Sequence, residues 1–154
     1  MIRNHFTATG IVFNANNEIL MIHHNSLRVW LPPGGHIGEN ELPENAVLRE
    51  IFEETGIKAS IIPIKRGIQS CRELELPFTM LLEDIEGNGT HNHIDMIYLC
   101  NAINEDFIPQ ENEISGIGWF SLDKIKELKT FDNVTETIAK AIEYLNKTTS
   151  GVSM

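Results

Sequence analysis

Long apolar runs are missing from this 154-residue chain, and no stretch approaches the ~20 residues that a membrane span requires. The N-terminus also lacks a basic segment followed by an apolar one, so no secretory signal is read, and a cytoplasmic location without membrane partners is expected. Cysteine is scarce. Cys71 and Cys100 are not spaced as a metal-binding pair, and they are read as reduced, buried small residues rather than a disulfide. Positive charge is scarce too: 12 Lys and Arg face 22 Asp and Glu, a formal net charge of −10. That balance argues against nucleic acid polymers as partners, whose binding depends on Lys and Arg neutralising phosphates. It leaves room for a small phosphorylated substrate, because a bound divalent ion reverses the sign of the local field. Internal repeats are absent, and the length suits one domain over residues 1–147 with a flexible tail at 148–154.

What the chain does have is concentrated at 35–57, GHIGENELPENAVLREIFEETGI. A glycine-rich turn, a loop carboxylate and a proline lead into a helical segment that Gly56 closes. On a helix, Glu50, Glu53 and Glu54 stand at i, i+3 and i+4, so three carboxylates share one face. Leu48, Ile51, Phe52 and Thr55 take the opposite arc, which makes the segment amphipathic with an acidic polar face. Like charges at these spacings cost a few tenths of a kcal/mol per pair, so the cluster asks for a counter-ion. Oxygen-only donors suit Mg²⁺, Mn²⁺ or Ca²⁺ rather than zinc. Taken alone, such a run is more often a solvated surface.

Spacing decides between the two. Gly35 is followed after five residues by Glu41, after seven more by Arg49-Glu50-Ile51, then by Glu53-Glu54 and Gly56-Ile57. This resembles the Nudix box, GX5EX7REUXEEXGU with U bulky and aliphatic, at every specified position. Chance agreement at a given start is on the order of one in a billion, which removes the solvated-surface reading. The resemblance implies an α/β class fold, a Nudix-type α/β/α sandwich with a mixed β-sheet. It implies a Mg²⁺- or Mn²⁺-dependent hydrolase that cleaves a diphosphate linkage in a nucleoside diphosphate derivative such as an NTP or nucleotide sugar. The backbone carbonyl of Gly35 and the carboxylates of Glu50, Glu53 and Glu54 are then the metal ligands. Arg49 is expected to pair with Glu41 or a neighbouring glutamate and hold the carboxylates in place.

Members of the family take the general base either from the position of Glu50 or from a later loop, here Glu111 or Glu113. We favour the later loop, because carboxylates saturated by metal are poor proton acceptors. Homodimers are common in the family. A Nudix fold that binds a nucleotide without hydrolysing it stands as the alternative, which the intact carboxylate set disfavours. Two loop positions depart from the family's commonest wording: Gly38 stands where many members have glutamate, and Asn40 where many have glycine. Some subfamilies carry a proline or tyrosine about sixteen residues after the box; Arg72, Glu73, Leu74 and Glu75 offer neither, so the substrate is not named.

The remaining pattern gives strands at 6–14 and 18–24 as a hairpin, at 59–68, at 78–85, and at 94–103 after the turn Gly87-Asn88-Gly89. Helices are expected from Pro43 to Gly56 with the poor N-cap Leu42, from Ser121 to Leu128, and from Asn133, paired with Glu136, to Asn146. His91, His93 and Asp95 alternate onto one strand face, read as a polar surface or substrate cleft, with a transition-metal site as the lesser alternative. His36 is read as a loop residue near substrate; His23 and His24 point to opposite faces, and His5 receives no role. Arg28, Arg66 and Arg72 are candidate phosphate contacts and Trp30 a candidate base stack, each weighed equally against ordinary surface or packing.

Overall fold

The computed structural model describes residues 1–108 and 114–151. In order, the elements are β1 (Arg3–Phe13), β2 (Ile19–His24), β3 (Trp30–Leu31), β4 (Gly34–His36), α1 (Pro43–Thr55), β5 (Ala59–Ile61), β6 (Thr79–Asp84), β7 (His91–Ala102), β8 (Ile114–Phe120), α2 (Leu122–Ile125) and α3 (Asp132–Ser150). The sheet is mixed. β1 runs parallel to β7 along its whole length, while the other pairings are antiparallel.

Each of the two long central strands shares its outer edge between two shorter ones. β1 pairs with β4 at Thr7 to Thr9 and with β2 only at Phe13. β7 pairs with β6 along its first half and with β5 near its end. Strand alternation then divides the apolar residues between two layers. Even-numbered Ala8, Val12, Tyr98 and Cys100 pack against Ala46, Val47 and Ile51 of α1. Odd-numbered Ile11, Phe13, Ile97 and Leu99 pack against Ile125 of α2 and Ile138 and Ala141 of α3. The result is a three-layer sandwich, with α1 on one face and α3 on the other.

Several boundaries differ from the pattern reading, each for a local reason. The strand expected at 59–68 stops at Ile61. Pro63 lacks the amide a ladder needs, and the carboxylate of Glu73 accepts the amides of Arg66, Gly67 and Ile68, which folds this stretch as a loop. Ser121 does cap α2, its hydroxyl accepting from the Lys124 amide, but the helix gives way to single turns after Ile125 rather than reaching Leu128. α3 starts at Asp132, so the N-cap position falls on Phe131, which has no side-chain acceptor, and Asn133 lies inside the first turn, donating its side-chain amide to Glu83 across the layer. It also runs past Asn146 into the expected tail: Thr148, Thr149 and Ser150 donate their hydroxyls to carbonyls one turn back and remain helical. Cys100 is buried as read, but Cys71 is exposed, and both are free thiols. Among the described residues, no helix is long and apolar enough to cross a membrane.

Candidate active site

α1 carries the acidic box. Pro43 occupies its first turn, where a missing amide costs nothing, and Leu42 stands at the N-cap without a side-chain hydrogen bond. The helix ends at Gly56, whose φ of 76° is the left-handed conformation of a C-cap. Its apolar stripe of Val47 and Ile51 is fully buried against the sheet. That seating turns Glu50 and Glu54 toward β4 and leaves Glu53 at the rim.

Arg49 organises the carboxylates. Its Nε and Nη2 donate to the two oxygens of Glu41 at 2.7 and 3.0 Å, a bidentate pair. Nη1 donates to Glu50 Oε1 at 2.8 Å and to Glu53 Oε2 at 3.0 Å, and Nη2 also reaches the His36 carbonyl at 3.1 Å. One guanidinium thus serves three carboxylates and the backbone of β4, leaving the second oxygen of Glu50 and of Glu53 outside its reach. Hydrogen bonding to Arg49 holds the Glu41 carboxyl below the usual carboxylate range, and the carboxylates in turn push the guanidinium pKa further up. Glu41 also accepts the Gly38 amide. The loop between them turns at Asn40, whose φ of 60° is a left-handed conformation that asparagine tolerates better than most residues.

Glu54 is the most enclosed of the set, 5% exposed, and accepts the Gly34 amide at 3.2 Å. Glu50 lies against Gly35 so closely that a Cβ there would sit 2.5 Å from its carboxyl carbon. Glycine is therefore required for the carboxylate to rest on the strand backbone. A cleft of about 490 Å³ opens here, where β2, β3 and β4 part at the edge of β1. Glu50, Glu54 and Gly35 form its acidic side, Leu31 and Ile114 an apolar side, and His36 also lines it.

The structure thus brings together Gly35, Arg49, Glu50 and Glu54, with Glu53 beside them on Arg49. Glu111 and Glu113 lie outside the described residues. Trp30 is not in the cleft; its ring packs edge-on against Phe120 and His23 in the core beneath α3. Arg72 is paired with Glu44, whose other oxygen accepts the Glu75 amide. Asp95 is buried and taken up by the hydroxyls of Thr7 and Thr9 at 3.0 and 2.9 Å. His5, given no role from sequence, stands beside His36, His91 and His93. The signal for that neighbourhood, odd-numbered histidines on both β1 and β7, is present in the sequence but carries no weight until the two strands are known to be parallel neighbours.

An α/β/α sandwich with a mixed sheet and an acidic helix laid against a glycine strand defines a recognisable class of domain. The chain belongs to the NUDIX family: the NUDIX domain model matches residues 3–142. A solved structure described as a hydrolase of the NUDIX family from Clostridium perfringens is similar with a TM-score of 0.80 and 26% identity, over 94% of this chain and 99% of that one. An asymmetrical bis(5'-nucleosyl)-tetraphosphatase of Rattus norvegicus is 29% identical over 141 residues, 89% of this chain and 86% of its own length. A probable DHNTP pyrophosphohydrolase of Lactococcus lactis subsp. cremoris is 28% identical over 118 residues, 76% of this chain and 63% of its own. The chain spans 34% to 66% of the length of the first four curated relatives it matches.

Proposed function

We propose that the chain is a divalent-metal-dependent hydrolase that cleaves a diphosphate linkage in a nucleoside diphosphate derivative, such as an NTP or a nucleotide sugar. One observation carries the reading: two glutamates, one nearly buried and one pressed on a glycine strand, converge on the same cleft, while the one guanidinium that bonds Glu50 is also shared with Glu41, Glu53 and the His36 carbonyl. Negative charge gathered at a concave site is costly unless a cation completes it. The donors fit a hard ion. They are carboxylate oxygens of Glu50, Glu53 and Glu54 with the carbonyl of Gly35, the ligand type of Mg²⁺ or Mn²⁺. When bound, such an ion neutralises phosphate charge and lowers the pKa of an attacking water.

The protein's own part is positioning. Arg49 fixes Glu50 and Glu53 relative to Glu41, and its bond to the His36 carbonyl ties that array to β4. The Gly34 amide aims Glu54, and the apolar wall at Leu31 and Ile114 shields one side of a bound diphosphate from water. We assign the general base to Glu111 or Glu113. Ile108, just before that segment, bonds to Thr55 at the end of α1, and Ile114, just after it, lines the cleft.

A panel of nucleoside triphosphates, nucleotide sugars and dinucleoside polyphosphates, assayed with Mg²⁺ and Mn²⁺, tests the reading. Glu54→Gln is expected to lower kcat by about 10²-fold or more while far-UV circular dichroism is unchanged. Glu111→Gln and Glu113→Gln locate the base: near-normal rates in both sink that assignment. Metal-dependent hydrolysis of no substrate in the panel would leave a nucleotide-binding Nudix fold without turnover.

A further inference from the structure

On the sheet face opposite α1, three strands deliver histidines to one point. The parallel register sets His5 of β1 beside His93 of β7, and β4, pairing Thr7 with His36, brings the third ring to the same face. The ring centroids of His36 and His93 are 4.9 Å apart, and those of His5 and His36 5.5 Å. One ligating nitrogen from each of His5, His36 and His93 falls in a group whose members all lie within 4.8 Å of one another.

From this geometry we infer a second metal site, distinct from the carboxylate cluster, in which His5, His36 and His93 bind one Zn²⁺-class ion. Three imidazoles and an open fourth position form a standard zinc environment, and imidazole nitrogen discriminates against the hard ions that the glutamates would hold. A ligating imidazole must be neutral, so metal binding at such a site competes with protons. An outer layer is present as well. His91 Nε2 lies 3.2 Å from His5 Nδ1, and His91 Nδ1 lies 3.4 Å from Glu86, a carboxylate–imidazole chain of the kind that orients ligating histidines. The ion would tie β1, β7 and β4 together directly behind Gly35, the strand residue on which Glu50 rests. This site stands on the histidine geometry alone and does not depend on the hydrolase reading.

The test uses the full chain without a polyhistidine tag, stripped with chelator and held in excess Mg²⁺ to occupy hard-ion sites. Co²⁺ uptake is followed by its visible absorption, and Zn²⁺ affinity by displacement of the Co²⁺. The wild type is expected to take up one Zn²⁺ per chain and to melt at a higher temperature with it. His5→Ala, His93→Ala and His36→Ala should each weaken Zn²⁺ binding by at least the roughly 10–100-fold that loss of a mere outer partner costs. Glu54→Gln should retain it. His36 is exposed, so its substitution leaves a folded protein even if the others do not. No Zn²⁺ uptake by the wild type, or equal uptake by wild type and His36→Ala, overturns the site.

Discussion

The two faces of one short strand carry opposite chemistry. Gly35 and His36 are neighbours in β4, so they address opposite sides of the sheet. On the α1 side the donors are oxygens: a run of glutamates, one arginine and a glycine with no side chain to intrude. On the α3 side they are nitrogens, beside a polar patch of the buried Thr7 and Asp95 and the half-buried Thr9 and Glu83. The acidic face comes from one contiguous helix, so its residues are near one another whatever the rest of the chain does. The histidine face comes from three strands separated by dozens of residues. A local motif can be read from spacing; a constellation assembled by register cannot.

The largest effect should come from breaking the strand that separates the faces. Gly35→Ala places a Cβ against the Glu50 carboxylate and displaces it, and a misplacement of this size can cost about 10²-fold. Steady-state kcat/KM on whichever diphosphate substrate the panel identifies is the measurement. A near-wild-type value would mean that Glu50 does not work from its position on β4.

A smaller change is expected on the α3 side. Burial and the nearby Asp95 push the Glu83 carboxyl up from 4.5 to about 7, with Asn133 donating to it and opposing the rise. A carboxyl raised on folding binds its proton more tightly in the native state than unfolded. Its stabilising contribution is therefore complete below pH 4.5 and is lost as pH rises through about 7. Glu83→Gln keeps an acceptor for Asn133 without the charge. In chelator-treated protein it should stabilise by about 1–2 kcal/mol at pH 8, allowing for solvent screening, and by nothing near pH 4. A Tm gain that does not vary with pH would contradict this account.

The smallest effect belongs to the end of α1. Leu42→Thr supplies the missing N-cap acceptor and should add roughly 0.5–1 kcal/mol, read as a rise in Tm. No rise would show that the first-turn amides already have partners in water.

Legibility followed the range of the interactions. Helical spacing puts Glu50, Glu53 and Glu54 on one face, and the resemblance of the box adds Gly35 and Arg49; the left-handed Gly56, the uncapped Leu42 and the Ser121 cap are legible because each depends on neighbours within one or two helical turns. A boundary departs from the pattern where a distant partner intervenes: the Glu73 carboxylate accepts the amides of residues 66–68 and folds them into a loop. Sequence leaves Trp30 open between base stacking and packing, and the structure decides for packing, because β3 and β8 bring it against Phe120.

By itself, then, the sequence determined the family and the acidic helix, because the spacing of residues along a helix is also their spacing in space. Only the tertiary structure decided where the cleft opens, that Arg49 ties the helix to β4, and that His5 meets His36 and His93. Those depend on strand register, and register follows from the whole pattern of buried residues on both faces of the sheet rather than from any local run.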